Sequence, residues 1–440
     1  MGTFLNPLNS SMLAVALVTL QYEFVLSLQS VTWIITIFYI SSTAAQPVMG
    51  KLGDRFGPRK LFVAGMMILS GGSIIAALSP TWTILCASRA VIACGSAAAF
   101  PSAVSIIRHY CKTTGQAPTR MLSRIQLASN IGQAAGPVLG GSLILLVGWR
   151  SIFWVCIPLA LASAIGVAFV VPCTPAKPSR GSLLKLVREL DLPGIALFTS
   201  AITIGVMVLL RAYPMHNLKL SLLTGLLIVL FIRRETTVDV PFLDIRTFIR
   251  NRALMQVYAT YLLLCMFIYS VLYGFPQFLE EALGMNSQDV GLIMLPLAIA
   301  SGVSNPFVAR AIERWGVRIV LQVGVASNIF VAVLALLLNE RSLTLPLLIF
   351  ASIFGLCSGI ATVALNQAMF LSAIDSEIGI AAGLFQTSRH LGAILASCLL
   401  GSIMAPHAST QGWSELMVLC AFACAVAFVI AHSWNLPRTQ

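Results

Sequence analysis

Long apolar runs alternate with short charged connections from one end of the chain to the other. Runs of about 18 or more mainly apolar residues have the length needed to cross a bilayer as helices. Six cover about 4–22, 31–50, 60–79, 82–107, 123–147 and 149–171. Two more cover about 193–211 and 218–232, and a last six about 253–278, 288–309, 317–338, 344–370, 377–404 and 413–434. The pattern predicts an all-α polytopic membrane protein, because helices satisfy their backbone polar groups inside lipid. A short amphipathic helix is expected at Leu183–Leu190, in a basic loop that carries Pro172, Pro175 and Pro178.

The connection Gly50–Lys60, GKLGDRFGPRK, is short and glycine-rich, and it joins two of these runs. Its chemistry returns 259 residues later (313 − 54): Pro47 answers to Pro306, Lys51 to Arg310, Asp54 to Glu313 and Arg55 to Arg314. Gly57 answers likewise to Gly316 and Arg59 to Arg318. Two hairpins with the same hinge chemistry are the trace of a duplicated membrane unit.

Composition agrees with this reading. Hydrophobic residues make up 58% and charged residues 10% of the 440, and mean hydropathy is +0.92. Ten cysteines lie mostly inside apolar runs without CxxC spacing, as small hydrophobes rather than a disulfide or metal framework. The first run precedes further spans and reads as a retained helix, not a cleaved signal. The net charge of +12 does not point to nucleic acid, because the cations gather in alternate connections. Arg55, Arg59 and Lys60 lie in one, Arg108, Lys112 and Arg120 in the next, and Arg310, Arg314 and Arg318 in a later one. By the positive-inside rule both termini face the cytoplasm.

Gly50, Leu52, Asp54, Arg55, Gly57, Arg59 and Lys60 fit G-x-L-x-D-R-x-G-x-R-[KR]. This resembles the loop between helices 2 and 3 of the major facilitator superfamily. The six–two–six grouping is similar to its fourteen-helix drug:proton antiporter branch. The resemblance implies a major facilitator fold with a first bundle over 1–171, basic loops and two inserted helices over 172–252, and a second bundle over 253–440. Leu8-Asn9-Ser10-Ser11 resembles the branch's first-helix motif, with Asn9 at the family's aspartate. Trp33, Tyr39, Gln46 and Pro47 match its second helix, and Arg89 with Gly95 keeps part of its fourth-helix motif. Gly132, Gly136, Pro137, Gly140 and Gly141 fit the G-x-x-x-G-P-x-x-G-G of export-type members. The four-residue glycine spacing lets another backbone approach closely. Gln126, Ser129, Asn130 and Gln133 form a polar stripe on the same run, facing either a cavity or another helix. Gly379, Gly383, Gln386, Arg389 and His390 resemble the branch's eleventh helix.

No HExxH, GxSxG or Walker sequence occurs, and the five histidines are scattered. A transporter is therefore expected over a channel or a membrane enzyme, without cofactor or metal. The resemblance implies export of small amphiphilic molecules by alternating access between two halves, with protons as the coupling ion. An uncoupled facilitator or an importer of a neutral or anionic metabolite is the alternative. Asp54, with Arg55 and Arg59, is expected to close a cytoplasmic gate with acids and a helix start in the other half, where Asp375 and Glu377 lie. Glu313, Arg314, Gly316 and Arg318 are the second copy of that gate motif. Candidate cavity or coupling residues are Asn9, Tyr39, Arg89, Gln126, Asn130, Gln133, Tyr261, Gln386, Arg389 and His390. The expected partners are a small-molecule substrate and the lipid bilayer of a cell membrane, with no nucleic acid, the chain acting as a monomer. None of the fifteen acids falls in the middle of a span, which leaves the proton without an obvious carrier.

Overall fold

A computed structural model describes residues 2–26, 28–115, 118–172, 191–209, 217–238, 251–285, 287–339, 343–374, 378–403 and 410–434. Among the described residues the regular structure is helical, without strands. The first part comprises α1 (Gly2–Glu23), α2 (Leu28–Phe56), α3 (Pro58–Ala77), α4 (Trp82–Ser96), α5 (Ala99–Thr114), α6 (Thr119–Val147) and α7 (Ser151–Val170). A pair follows, α8 (Leu192–Leu209) and α9 (Asn217–Thr237). The second part comprises α10 (Arg252–Gln277), α11 (Ser287–Trp315), α12 (Val317–Ala335), α13 (Thr344–Ser372), α14 (Ile378–Ile403) and α15 (Thr410–His432). Eight described segments are long and apolar enough to cross a membrane. Leu183–Leu190, Asp375 and Glu377 lie outside the described residues.

The expected loop Gly50–Lys60 contracts to one residue. Helix α2 runs on to Phe56 and α3 begins at Pro58, so Gly57 alone turns the chain, at φ 92°. That left-handed backbone suits glycine, and Pro58 supplies the fixed φ of a first helical position. Gly316 repeats the turn between α11 and α12 at φ 82°. The expected span 82–107 breaks into α4 and α5 at Ala97–Ala98. Pro101 explains the break, because its ring clashes with the carbonyl four residues earlier.

Helix packing follows the repeat. In the first part α1 lies against α6, α3 against α4 and α7, and α2 against α4. In the second part α10 lies against α14 and α15, α11 against α13, and α12 against α13 and α15. The two parts meet where α2 packs on α14 and α11 packs on α6. Helices α2 and α11 start 259 residues apart (287 − 28), as do α6 and α14 (378 − 119). The two meetings are thus one arrangement with the halves exchanged.

One core cluster lies mainly in each half, and a third joins Phe100 and Val104 of the first to Leu264 and Phe385 of the second. Met12, Phe38, Met66, Ile92 and Phe153 fill the first. Phe275, Phe278 and Phe350 surround Trp413 in the second, and the indole donates to the Ala335 carbonyl at 2.9 Å. Large apolar side chains such as Leu145, Phe169, Leu222 and Phe422 stay exposed, as a lipid-facing surface requires.

Helices α8 and α9 pack on each other, and α8 touches α2. Asp191 and Glu235, expected in loops, are instead buried here, at 3% and 1% exposure. The reason is that α9 continues past its apolar stretch to Thr237, which carries its charged end onto the start of α8. Arg234 donates to Asp191 at 2.8 Å, and the Gly194 N–H bonds the same oxygen at 3.2 Å.

Candidate functional site

The hinge acids of both repeats reach across to the other half. The Asp54 carboxylate, at the end of α2, accepts hydrogen bonds from the backbone N–H groups of Gly379 (3.2 Å) and Ile380 (3.1 Å). These are among the unpaired donors of the first turn of α14, at the positive end of its dipole. Close approach makes the contact possible. A Cβ on Gly50 would meet the Gly379 backbone, and one on Gly383 would meet the Gln46 carbonyl.

Glu313, the repeat of Asp54, pairs with Arg120 at 2.9 and 3.1 Å in the first turn of α6. Arg120 is the repeat position of Gly379 (379 − 120 = 259). Both acids therefore reach the same place on equivalent helices. One meets backbone amides and the other a guanidinium. Sequence reading missed Arg120, although the constant offset points straight to it.

Two of the hinge arginines bond a carbonyl of their own half. Arg59 donates to the Ala168 carbonyl near the end of α7, and Arg318 to the His432 carbonyl at the end of α15, at 3.3 Å. Cations at helix C-termini are favoured by the dipole and by carbonyls left without helical partners. Arg55 and Arg314 lie beside the rings of Phe56 and Trp315, and Lys60 is exposed.

Deeper in the bundle, Arg89 is 1% exposed. It donates to Asn9 Oδ1 on α1 and lies 4.3 Å from the Phe38 ring centre. Asn9 in turn donates to Cys156 at 3.2 Å. Arg89 thus has a neutral amide where the family's motif would offer a carboxylate. Arg389 on α14 bonds the Tyr269 hydroxyl on α10 at 2.8 Å. Tyr261 stacks on Phe385 at 3.8 Å. Tyr39 on α2 shares a 2.7 Å hydrogen bond with Tyr273 on α10, joining the two halves, and its ring lies 5.6 Å from that of His390.

Between these contacts lies a cavity of about 20 Å³, room for a water-sized molecule. Thr3, Asn6, Gln46, Ser129, Gln386, Arg389 and His390 are among its lining residues, from both halves. Among the described residues of that lining Arg389 is the one cation, and none is a carboxylate. Tyr39 sits seven residues along α2 from Gln46 (46 − 39), on the side away from the hinge. In this conformation the halves touch on both sides of the cavity.

Gly132, Gly136 and Gly140 line the contact of α6 with α1. A Cβ on Gly132 would meet the Phe4 carbonyl, one on Gly136 would overlap Ser11, and one on Gly140 would lie 3.0 Å from the Met12 backbone. The neighbouring Gly141 is partly buried, Gln133 likewise, and Ser129 bonds the Thr3 carbonyl at 3.3 Å. Gln126, Asn130 and Pro137 belong to the same helix, α6.

The sequence model of the Major Facilitator Superfamily matches this chain over residues 1–397 and again over 257–440. The chain is 33% identical to the MFS-type transporter YwoD of Bacillus subtilis, across 98% of its own length and 94% of that protein. It is 26% identical to the drug efflux pump JefA of Mycobacterium tuberculosis, across 92% and 79%. The crystal structure of the human organic anion transporter MFSD10 superposes with a TM-score of 0.66 over 96% of this chain and 97% of that one. At 16% identity that is a likeness of fold. Duplicated halves, paired hinges and a polar cavity between them thus belong to a chain that is a member of the Major Facilitator Superfamily.

Proposed function

We propose that this chain is a secondary active exporter of small amphiphilic molecules, working by alternating access. Fourteen spans would form two six-helix bundles, 1–171 and 253–440, with 172–252 adding α8, α9 and basic loops. The hinges and both termini face the cytoplasm of a cell membrane, and one chain carries out the cycle.

The observation that carries this reading is the pair of equivalent meetings between the halves, each with a hinge acid at one end. Asp54 on α14 and Glu313 on Arg120 hold the hinge side shut, and Tyr39 with Tyr273 links the far side. Parting one side while keeping the other exposes the cavity to one face at a time. Export is favoured by the glycine face of α6 and by the drug efflux pump among the relatives. The cavity lining favours neutral or acidic substrates, since among its described residues a desolvated cation would meet Arg389 and no acid.

Protons are the coupling ion the family branch would use. A specific observation favours the second reading, an uncoupled facilitator or an importer of a neutral or anionic metabolite: Arg89 faces Asn9 rather than a carboxylate. Everted vesicles separate the readings. An exporter accumulates neutral and acidic amphiphiles, and collapse of the pH gradient stops it. Equal rates with and without the gradient establish the facilitator. Selective accumulation of ethidium-like cations overturns the charge preference.

A further inference from the structure

Three side chains of the central cavity carry a buried polar atom with no hydrogen-bond partner among the described residues. They are Gln46 Oε1, Gln386 Oε1 and His390 Nδ1. Gln46 is 1% exposed, Gln386 7% and His390 2%, and all three line the space between the halves. Gln386 and His390 are four apart on α14, hence on one face. Gln46 is brought opposite them because Gly383 lets α2 approach its backbone. Both amide oxygens are acceptors, and His390 Nδ1 accepts in the tautomer protonated at Nε2.

The repeat supplies an internal control. Asn305 stands 259 residues after Gln46 (305 − 46), at the meeting of α11 with α6. With its carboxamide turned to satisfy both neighbours, it donates to the Ser301 carbonyl (3.2 Å) and accepts from the Leu127 N–H (3.1 Å). Leu127 is itself the repeat position of Gln386 (386 − 127). The same location is thus self-satisfied in one pair of helices. In the other it presents a cluster of acceptors to the cavity. Acceptors left unpaired in a buried site favour a ligand that brings donors and disfavour its analogue that lacks them.

We infer that Gln46, Gln386 and His390 form a subsite for a hydrogen-donating head group, a hydroxyl or an N–H, carried by a ring-bearing neutral or acidic substrate. Once the halves part enough to admit it, the ring has an apolar wall at hand, since Phe100 lines the cavity and packs on Phe385, itself stacked on Tyr261. Arg389 beside the subsite accommodates an acidic group on the same molecule. This inference rests on the cavity being the transport site.

Calorimetric binding to the purified full-length protein in nanodiscs tests it with 4-hydroxybenzoate, its methyl ether 4-methoxybenzoate, and 4-hydroxyphenyltrimethylammonium. The hydroxy acid is expected to bind at least about tenfold more tightly than the ether, because only it can donate to the acceptors. Gln46→Leu and Gln386→Leu reduce that ratio below about threefold. His390→Gln, which keeps an acceptor, preserves the ratio, whereas His390→Leu lowers it. Size-exclusion profiles matching the parent identify folded variants, and the His390 pair decides the matter if either glutamine variant misfolds. Equal affinity for the two benzoates, a ratio unchanged in the folded leucine variants, or no binding of either benzoate overturns the subsite. If the ammonium probe binds more tightly than the hydroxy acid while the hydroxyl contrast persists, the subsite stands and the proposed charge preference falls.

Discussion

Replacing Asp54 by Asn tests the hinge contact most directly. The carboxylate accepts two backbone N–H groups at 3.2 and 3.1 Å from the first turn of α14. A carboxamide keeps one oxygen and loses the charge, so one hydrogen bond and the dipole interaction disappear. A charge-assisted bond contributes about 1.5–3 kcal/mol. Because Asp54 is only partly buried, solvent screening lowers the expected loss to about 1–2 kcal/mol. That corresponds to roughly a 5- to 30-fold fall in the ratio of closed to open forms at the hinge side. Spin labels at Lys60→Cys and Arg252→Cys, both exposed positions in opposite halves, report it as a longer distance population. Cys94 and Cys111, the partly accessible described thiols, are first replaced by serine. Arg120→Gln removes the equivalent contact of the other repeat, but that side chain is 72% exposed. Its effect stays within about threefold and vanishes at roughly 1 M salt. An unchanged distance distribution in Asp54→Asn, or a larger opening from Arg120→Gln, refutes the reasoning.

Gly136→Leu forces α1 and α6 apart, since a Cβ there already overlaps Ser11; stability should fall by about 3 kcal/mol or more, read as a lower melting temperature in detergent. Gly166→Leu, which meets nothing within 4 Å on α7, should leave melting unchanged and controls for the added bulk. Arg89→Met deprives Asn9 of its donor and should cost roughly 1–3 kcal/mol by the same assay, with Asn9→Leu adding little on top. Tyr39→Phe and Tyr273→Phe should each loosen the far side about fivefold and the double variant no further, measured between labels at Val25→Cys and Leu343→Cys.

Legibility in the sequence followed the range of the interactions. Span positions came from local apolarity, and the equivalence of α2 with α11 from a hinge that could be aligned by eye. The contraction of that hinge to Gly57 was also written locally, in a glycine followed by proline. Contacts made between distant segments were not. Arg89 could be recognised as a buried cation in need of a partner, but nothing local selects Asn9, 80 residues away. The link of Tyr39 to Tyr273 spans 234 residues and depends on how two bundles face each other. Arg233-Arg234-Glu235 follows an apolar run, and its local polarity does not reveal a complementary charge at Asp191. Gln46 could be placed on its helix but not assigned to a cavity, since its unsatisfied oxygen is a property of the neighbours.

On the proposed cycle, the hinge arginines bear on its kinetics. Arg59 and Arg318 fasten the start of α3 and of α12 to the last helix of their own bundles. In the proposed cycle a stretch of six residues therefore ties Asp54, which would let go, to Arg59, which is bonded to a carbonyl of its own half. Such a lever transmits force only if its arm is stiff, and the arginine tether stiffens it. Loosening the tether would let each bundle shear internally while the latch stays fastened. The single barrier between two well-defined shapes would then dissolve into a series of partial openings, some leading to both faces of the membrane at once. Leak of small solutes, rather than slow turnover, is the defect such a chain would show.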